Sequence, residues 1–206
     1  MMRKDVFLLL AVSFLTAGCG GDVEPAKSAK KAEPPKPAEP IGALSATYQA
    51  FTHGRTWATD ILLLQVSSVT LKEPAPEGGR YPAWRMTFTS ASKASAKPYT
   101  YSVVEGAGLY KGVFALNEQS YTPHGQTSPF LMQAFKIDSD AAYKTAIAKG
   151  AEYTKKHPDM PIMMVLEKTK QFPNPAWRVV WGTSVSTSNY SIYVDATTGD
   201  YLLTMR

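Results

Sequence analysis

The chain has 206 residues, 44% of them hydrophobic, which is enough to bury a real core and excludes a wholly disordered chain. Its formal charge is +5, of which residues 41–206 carry +4 on scattered lysines and arginines; nucleic-acid binding needs a clustered basic stripe, so nucleic acid is not expected as a partner. The single cysteine, Cys19, excludes an intramolecular disulfide and a cysteine-based metal site.

Arg3 and Lys4 precede a ten-residue apolar run, Val6 to Leu15. At 1.5 Å per residue that run falls well short of a hydrocarbon layer about 30 Å thick, so it fits the apolar region of a secretory signal rather than a membrane span. Small residues follow, and Leu15-Thr16-Ala17-Gly18-Cys19 resembles a bacterial lipobox. The resemblance implies diacylglycerol transfer to the Cys19 thiol, cleavage between Gly18 and Cys19, and acylation of the new amino terminus. Each buried methylene contributes about 0.8 kcal/mol, so two or three acyl chains anchor a protein durably where one does not. Gly20 follows the cysteine instead of Asp. By the same resemblance this implies the outer rather than the inner membrane.

Residues 20–40 hold five prolines, four lysines and four acids. Such a segment buries too little apolar surface to offset its ordering entropy, and its composition predicts an extended tether reaching up to roughly 60 Å.

From there the pattern becomes globular. Leu44, Tyr48, Phe51 and Ala58 recur at helical spacing and predict a helix over 43–58. A strand is expected over Ile61–Leu71, then a Pro/Gly turn at 73–79. Trp84, Met86 and Phe88 alternate with polar residues, as do Tyr99, Tyr101 and Val103 after a small polar loop at 90–97. Leu109–Ala115 predicts a fourth strand. Asn117 to Pro129 reads as a 13-residue loop with its apex at Pro123-His124-Gly125. That is long for a connector, so it is the expected place for a specific contact. An apolar cluster, Phe130 to Ile137, follows.

Asp138 or Ser139 is placed to cap a second helix, with Tyr143, Ile147, Ala151 and Thr154 on one face and Pro158 ending it. Strands are expected around 162–167, 177–181, 190–194 and 201–205. The tetrapeptide Pro-Ala-Trp-Arg occurs twice, at 82–85 and at 175–178, and each copy opens an alternating run. The order helix then four strands therefore repeats. The expected fold is α+β: two repeated helix-plus-four-stranded antiparallel units. The corresponding organisation is a signal peptide over 1–18, the lipidated cysteine and tether over 19–40, a first unit over 41–117, a connecting loop over 118–137 and a second unit over 138–206.

Trp177-Arg178-Val179, followed by Tyr190 to Tyr201 with its Val194-Asp195-Ala196-Thr197-Thr198-Gly199 turn, resembles a PepSY-type domain over about 70 residues, 138–206. The first unit has Val104-Glu105-Gly106-Ala107-Gly108 in place of that turn. The resemblance implies a cystatin-like roll in secreted or membrane-attached bacterial proteins, no catalysis, and an association with binding or restraining peptidases.

Catalytic signatures are absent from the sequence. His53, His124 and His157 show no metal-binding spacing, and no nucleophile elbow, phosphate loop or dinucleotide fingerprint occurs. Asp195 precedes a tight turn and is expected to cap it. Trp84, Trp177 and Trp181 are expected in the core, and Met160, Met163 and Met164 do not share one face. The sequence therefore predicts no catalytic residue, metal site or cofactor. It predicts a non-enzymatic envelope lipoprotein, held to the membrane through Cys19, that binds or inhibits an envelope protein or peptide. The alternatives are a hydrolase with its site near His124 and His157, and a structural or assembly lipoprotein.

Overall fold

Small residues, not large ones, form the buried seam of the first helix. In the computed structural model, which describes residues 37–123 and 125–206, helix α1 (Ala43–Trp57) buries Ala43, Ala46, Thr47, Ala50 and Gly54. The expected face of Leu44, Tyr48 and Phe51 flanks that seam, and Tyr48 is 49% exposed. The sheet supplies the bulk instead: Trp84, Met86 and Phe88 are all fully buried. A Cβ on Gly54 would lie 2.9 Å from Ile61 Cδ1, so this glycine sets how closely the helix approaches.

Strands β1 (Leu62–Val69), β2 (Ala83–Ser90), β3 (Ser95–Ser102) and β4 (Gly112–Ala115) follow α1. Two short strands, β5 (Gln119–Ser120) and β6 (Thr127–Ser128), lie within the segment expected to be loop. A 3-10 turn at Met132–Ala134 leads into α2 (Ser139–Lys149) and α3 (Ala151–Lys156). Strands β7 (Ile162–Thr169), β8 (Ala176–Trp181), β9 (Ser191–Asp195) and β10 (Tyr201–Met205) complete the chain.

The second helix repeats the logic of the first. Ser139, Ala142 and Ala146 are its buried residues, while Tyr143 and Ile147 pack at its flanks. The single helix expected here breaks at Gly150. A Cβ at that position would meet both Ile192 Cδ1 and Trp181 Cη2 at 3.0 Å, so the chain passes the sheet only where it has no side chain.

The expected two repeated helix-plus-four-stranded units are not what forms. A single ten-stranded antiparallel sheet runs β10-β9-β8-β7-β1-β2-β3-β4, with β5 on β3 and β6 on β7. The joint is the β1–β7 pairing, Gln65 with Glu167, Val66 with Leu166 and Ser67 with Val165. One hydrophobic core results, including Trp84 and Trp177, whose ring centroids are 6.2 Å apart. The physical reason is edge pairing. Each set of four strands would leave β1 or β7 with unpaired backbone groups, and joining them satisfies both.

The two Pro-Ala-Trp-Arg copies keep equivalent local contacts within this one core. Trp84 Nε1 donates to the Ile41 carbonyl and Trp177 Nε1 to the Ile137 carbonyl, both at 2.9 Å. Each indole thereby fastens the segment that enters a helix. The arginines lie on the other face of the sheet: Arg85 is exposed, and Arg178 donates from Nε to Ser191 Oγ at 3.1 Å beside the Tyr193 ring. No helix among the described residues is long and apolar enough to cross a membrane. Cys19 and Gly18 lie outside the described residues.

Candidate functional site

The 117–129 segment is stitched to the sheet at both ends. Glu118 Oε2 accepts from Trp57 Nε1 at 2.8 Å, and that bond holds the Glu118 carboxyl below the usual carboxylate range, helped by Ser95 and the nearby Lys93 and Lys97. Strand β5 pairs Gln119 and Ser120 with Ala96 and Ser95, and Tyr121 N donates to the Ala94 carbonyl at 2.9 Å. On the far side, β6 pairs Thr127 and Ser128 with Thr169 and Lys168 of β7. Phe130 then exchanges both backbone hydrogen bonds with Leu63, at 2.8 and 2.9 Å.

Between these two attachments lies a cavity of about 390 Å³. Leu62, Ala91, Ala94, Tyr121, Pro123 and Pro129 line it, together with Thr89, Ser90 and Thr122. Its character is apolar with few polar groups, the usual composition of a small binding pocket. The Tyr121 hydroxyl is buried and has no hydrogen-bond partner among the described residues. Burial pushes the Tyr121 pKa up. A buried hydroxyl left unpaired costs free energy on the order of 1–3 kcal/mol.

One wall of the cavity is the turn between β2 and β3, and a carboxylate makes it rigid. Asp60 Oδ1 accepts from Ser90 Oγ at 2.6 Å and from Ser92 Oγ at 3.1 Å, and Asp60 Oδ2 accepts from Ser92 N at 2.8 Å. The Ser90 hydroxyl and the Ser92 N–H are the main reasons the Asp60 pKa falls to about 2. Ala94 closes the turn at φ +48°, a left-handed conformation uncommon for alanine.

The remaining sequence candidates scatter. His53 is exposed on α1. His157 ends α3 with its ring 4.4 Å from that of Tyr153, and His124 lies outside the described residues. No group of three or more His, Cys, Asp or Glu among the described residues is placed to hold a metal. Trp84, Trp177 and Trp181 are core residues, as the alternation predicts. Met164 is fully buried, and Met163 occupies the neighbouring strand position, on the opposite sheet face. Asp195 caps its turn, accepting from Thr197 N at 2.7 Å and Thr198 N at 3.0 Å.

Sequence reasoning singled out the 117–129 loop by length alone. It missed β5 and β6, which are two residues each and show no alternation to find. It also missed Asp60 and Tyr121, whose roles arise only from tertiary neighbours. No protein-family model matches the chain, and neither a curated protein nor a solved structure matches it.

Proposed function

We propose that this chain is a non-enzymatic cell-envelope lipoprotein, anchored through lipidated Cys19, that binds an envelope protein or peptide and by binding restrains it. The lipobox-like stretch ending at Cys19 and the Pro/Lys/Glu-rich 20–40 segment support the anchor and tether. Gly20 in place of Asp supports the outer membrane as its location. The resemblance of the 190–201 stretch to PepSY-type domains supports the inhibitory sense.

The observation that carries the binding role is the cavity beside Tyr121: apolar, and walled by a turn that Asp60 holds through Ser90 and Ser92. Its volume suits one or two side chains of a partner. Such a group would enter between Pro123, Pro129 and Ala94.

The test is site-specific photocrosslinking in the producing cell. A photoreactive amino acid replaces Thr122 at the cavity or, as control, Tyr48 on the exposed flank of α1. The expected result is a discrete adduct from position 122, absent from position 48 and lost when Ala91→Trp fills the cavity. Equal labelling from both positions, or an adduct indifferent to Ala91→Trp, would overturn the assignment.

A further inference from the structure

The two arginines of the repeated tetrapeptide stand in one row across the sheet. Ser67 of β1 pairs with Arg85 of β2 on one side and with Val165 of β7 on the other, and Val165 pairs with Arg178 of β8. Residues paired across a sheet share a face, so both arginines belong to the face away from the helices. Their surroundings differ. Arg178 donates from Nε to Ser191 Oγ at 3.1 Å and lies 5.5 Å from the centre of the Tyr193 ring, its neighbour on β9. The corresponding neighbour of Arg85 is Thr100 of β3, which has no ring. Arg85 is exposed, and its side chain makes no hydrogen bond or ion pair among the described residues.

Arg85 forms one wall of a cleft of about 440 Å³ and is the only charged residue in its lining. Val69 and Met163 each lie two residues along their strands from the Ser67–Val165 pair, so they share its face. Met163 stands on the far side of β1 from Arg85 and, with Val69, gives the cleft an apolar side. Ser67, Thr70 and Thr183 add hydroxyls. The floor is closed. Ser68 Oγ accepts from Met164 N at 2.9 Å, and the Tyr81 hydroxyl donates to the Ile162 carbonyl at 2.6 Å. The far rim is held too, since Gly182 N donates to the Pro161 carbonyl at 2.7 Å.

This lining selects a ligand by chemistry. A guanidinium presents a planar fork of donors that matches a carboxylate bidentately. One unpaired cation suits a monoanion, and the apolar side of the cleft asks for an apolar group close to that charge. The last residue of a peptide carries a carboxylate and a side chain on the same carbon. An internal aspartate or glutamate would need a second residue to make the apolar contact.

We infer that the Arg85 cleft captures the free carboxy terminus of a peptide whose last residue is apolar. Arg85 holds the carboxylate, and the last side chain lies on Val69 and Met163. The inference rests on the reading of the chain as a peptide-binding module. It adds a second site, at the opposite end of β1 from Leu62 and the Tyr121 cavity.

The test uses the full chain and a pentapeptide of glycine and serine, labelled with fluorescein at its amino end and ending in leucine with a free carboxylate. Three counterparts are the same peptide amidated at its end, one ending in serine, and an amidated one with aspartate before the leucine. Anisotropy should show the free leucine peptide binding at least tenfold more tightly than each of the three. Arg85→Gln should abolish that advantage over the amide, and Arg85→Lys should retain part of it. Arg178→Gln, in the same row, should leave the affinity within twofold. Met163→Ser should remove the preference for leucine over serine while keeping the preference for a free carboxylate. Because Arg85 is exposed and unpaired, Arg85→Gln should melt with the parent, so its loss of binding reports contact rather than folding.

Failure of the free leucine peptide to bind, equal binding of its amide, or indifference to Arg85→Gln overturns the inference. Tightest binding by the amidated aspartate peptide also overturns it, assigning the cleft to a side-chain carboxylate. If the peptide fails while the adduct at position 122 persists, only this inference falls. If the peptide binds and the adduct is absent, the Tyr121 cavity loses its role and the cleft keeps its own.

Discussion

Asp138 caps two helices at once. Its Oδ1 accepts from Leu44 N in the first turn of α1 at 2.9 Å and from Ser139 N at the start of α2 at 2.7 Å. Ser139 Oγ adds a bond from Ala43 N at 3.1 Å. The two helix N-termini therefore share one carboxylate, which satisfies otherwise orphaned N–H groups and lies at the positive end of both dipoles.

This sharing makes a coupled prediction. A lost cap costs about 0.5–2 kcal/mol, and Asp138→Ala loses contacts to two helices, so its cost should fall at or above about 2 kcal/mol in urea unfolding. Gly42 sits against the same carboxylate, and a Cβ there would collide with Asp138 Oδ2. Gly42→Ala should therefore destabilise the parent chain but cost much less in an Asp138→Ala background. Additive effects would show that the two residues are not in contact.

The Trp84–Trp177 contact distinguishes one core from two. Replacing either buried indole by alanine should cost about 3–5 kcal/mol. A double-mutant cycle should show a coupling of about 0.5–1.5 kcal/mol, the range measured for aromatic pairs. Effects that add without coupling would place the rings in independent cores.

Asp60 predicts acid sensitivity at the cavity wall. Its folded pKa, about 2, lies below its unfolded value near 3.9. Its contribution to stability is thus complete above about pH 4 and is lost as pH falls toward 2. An NMR titration should place its midpoint near 2, and exchange of the Ser92 amide should accelerate across that interval. A midpoint near 4 would mean that the bonds from Ser90 and Ser92 are not formed in solution.

Cys19→Ser should move the protein from the membrane fraction to the soluble envelope fraction and abolish acyl labelling. Retention of the variant in membranes would remove the lipid anchor from the proposed function.

The sequence by itself determined the order of most elements, the strand faces of Trp84, Met86, Phe88, Trp177, Val179 and Trp181, the Asp195 turn and a cap at Asp138 or Ser139, between which the structure chose Asp138. These follow from local rules: a two-residue alternation, a fixed φ preference, a side chain that reaches its own backbone. It misread the helix faces because apolar periodicity counts large residues, whereas α1 and α2 meet a sheet of tryptophans and need small ones. Only the tertiary structure decided that β1 and β7 join, merging two expected units into one sheet and one core. Nothing in either strand's alternation names its neighbour across a hundred residues, because that choice is made by which unpaired edge is available.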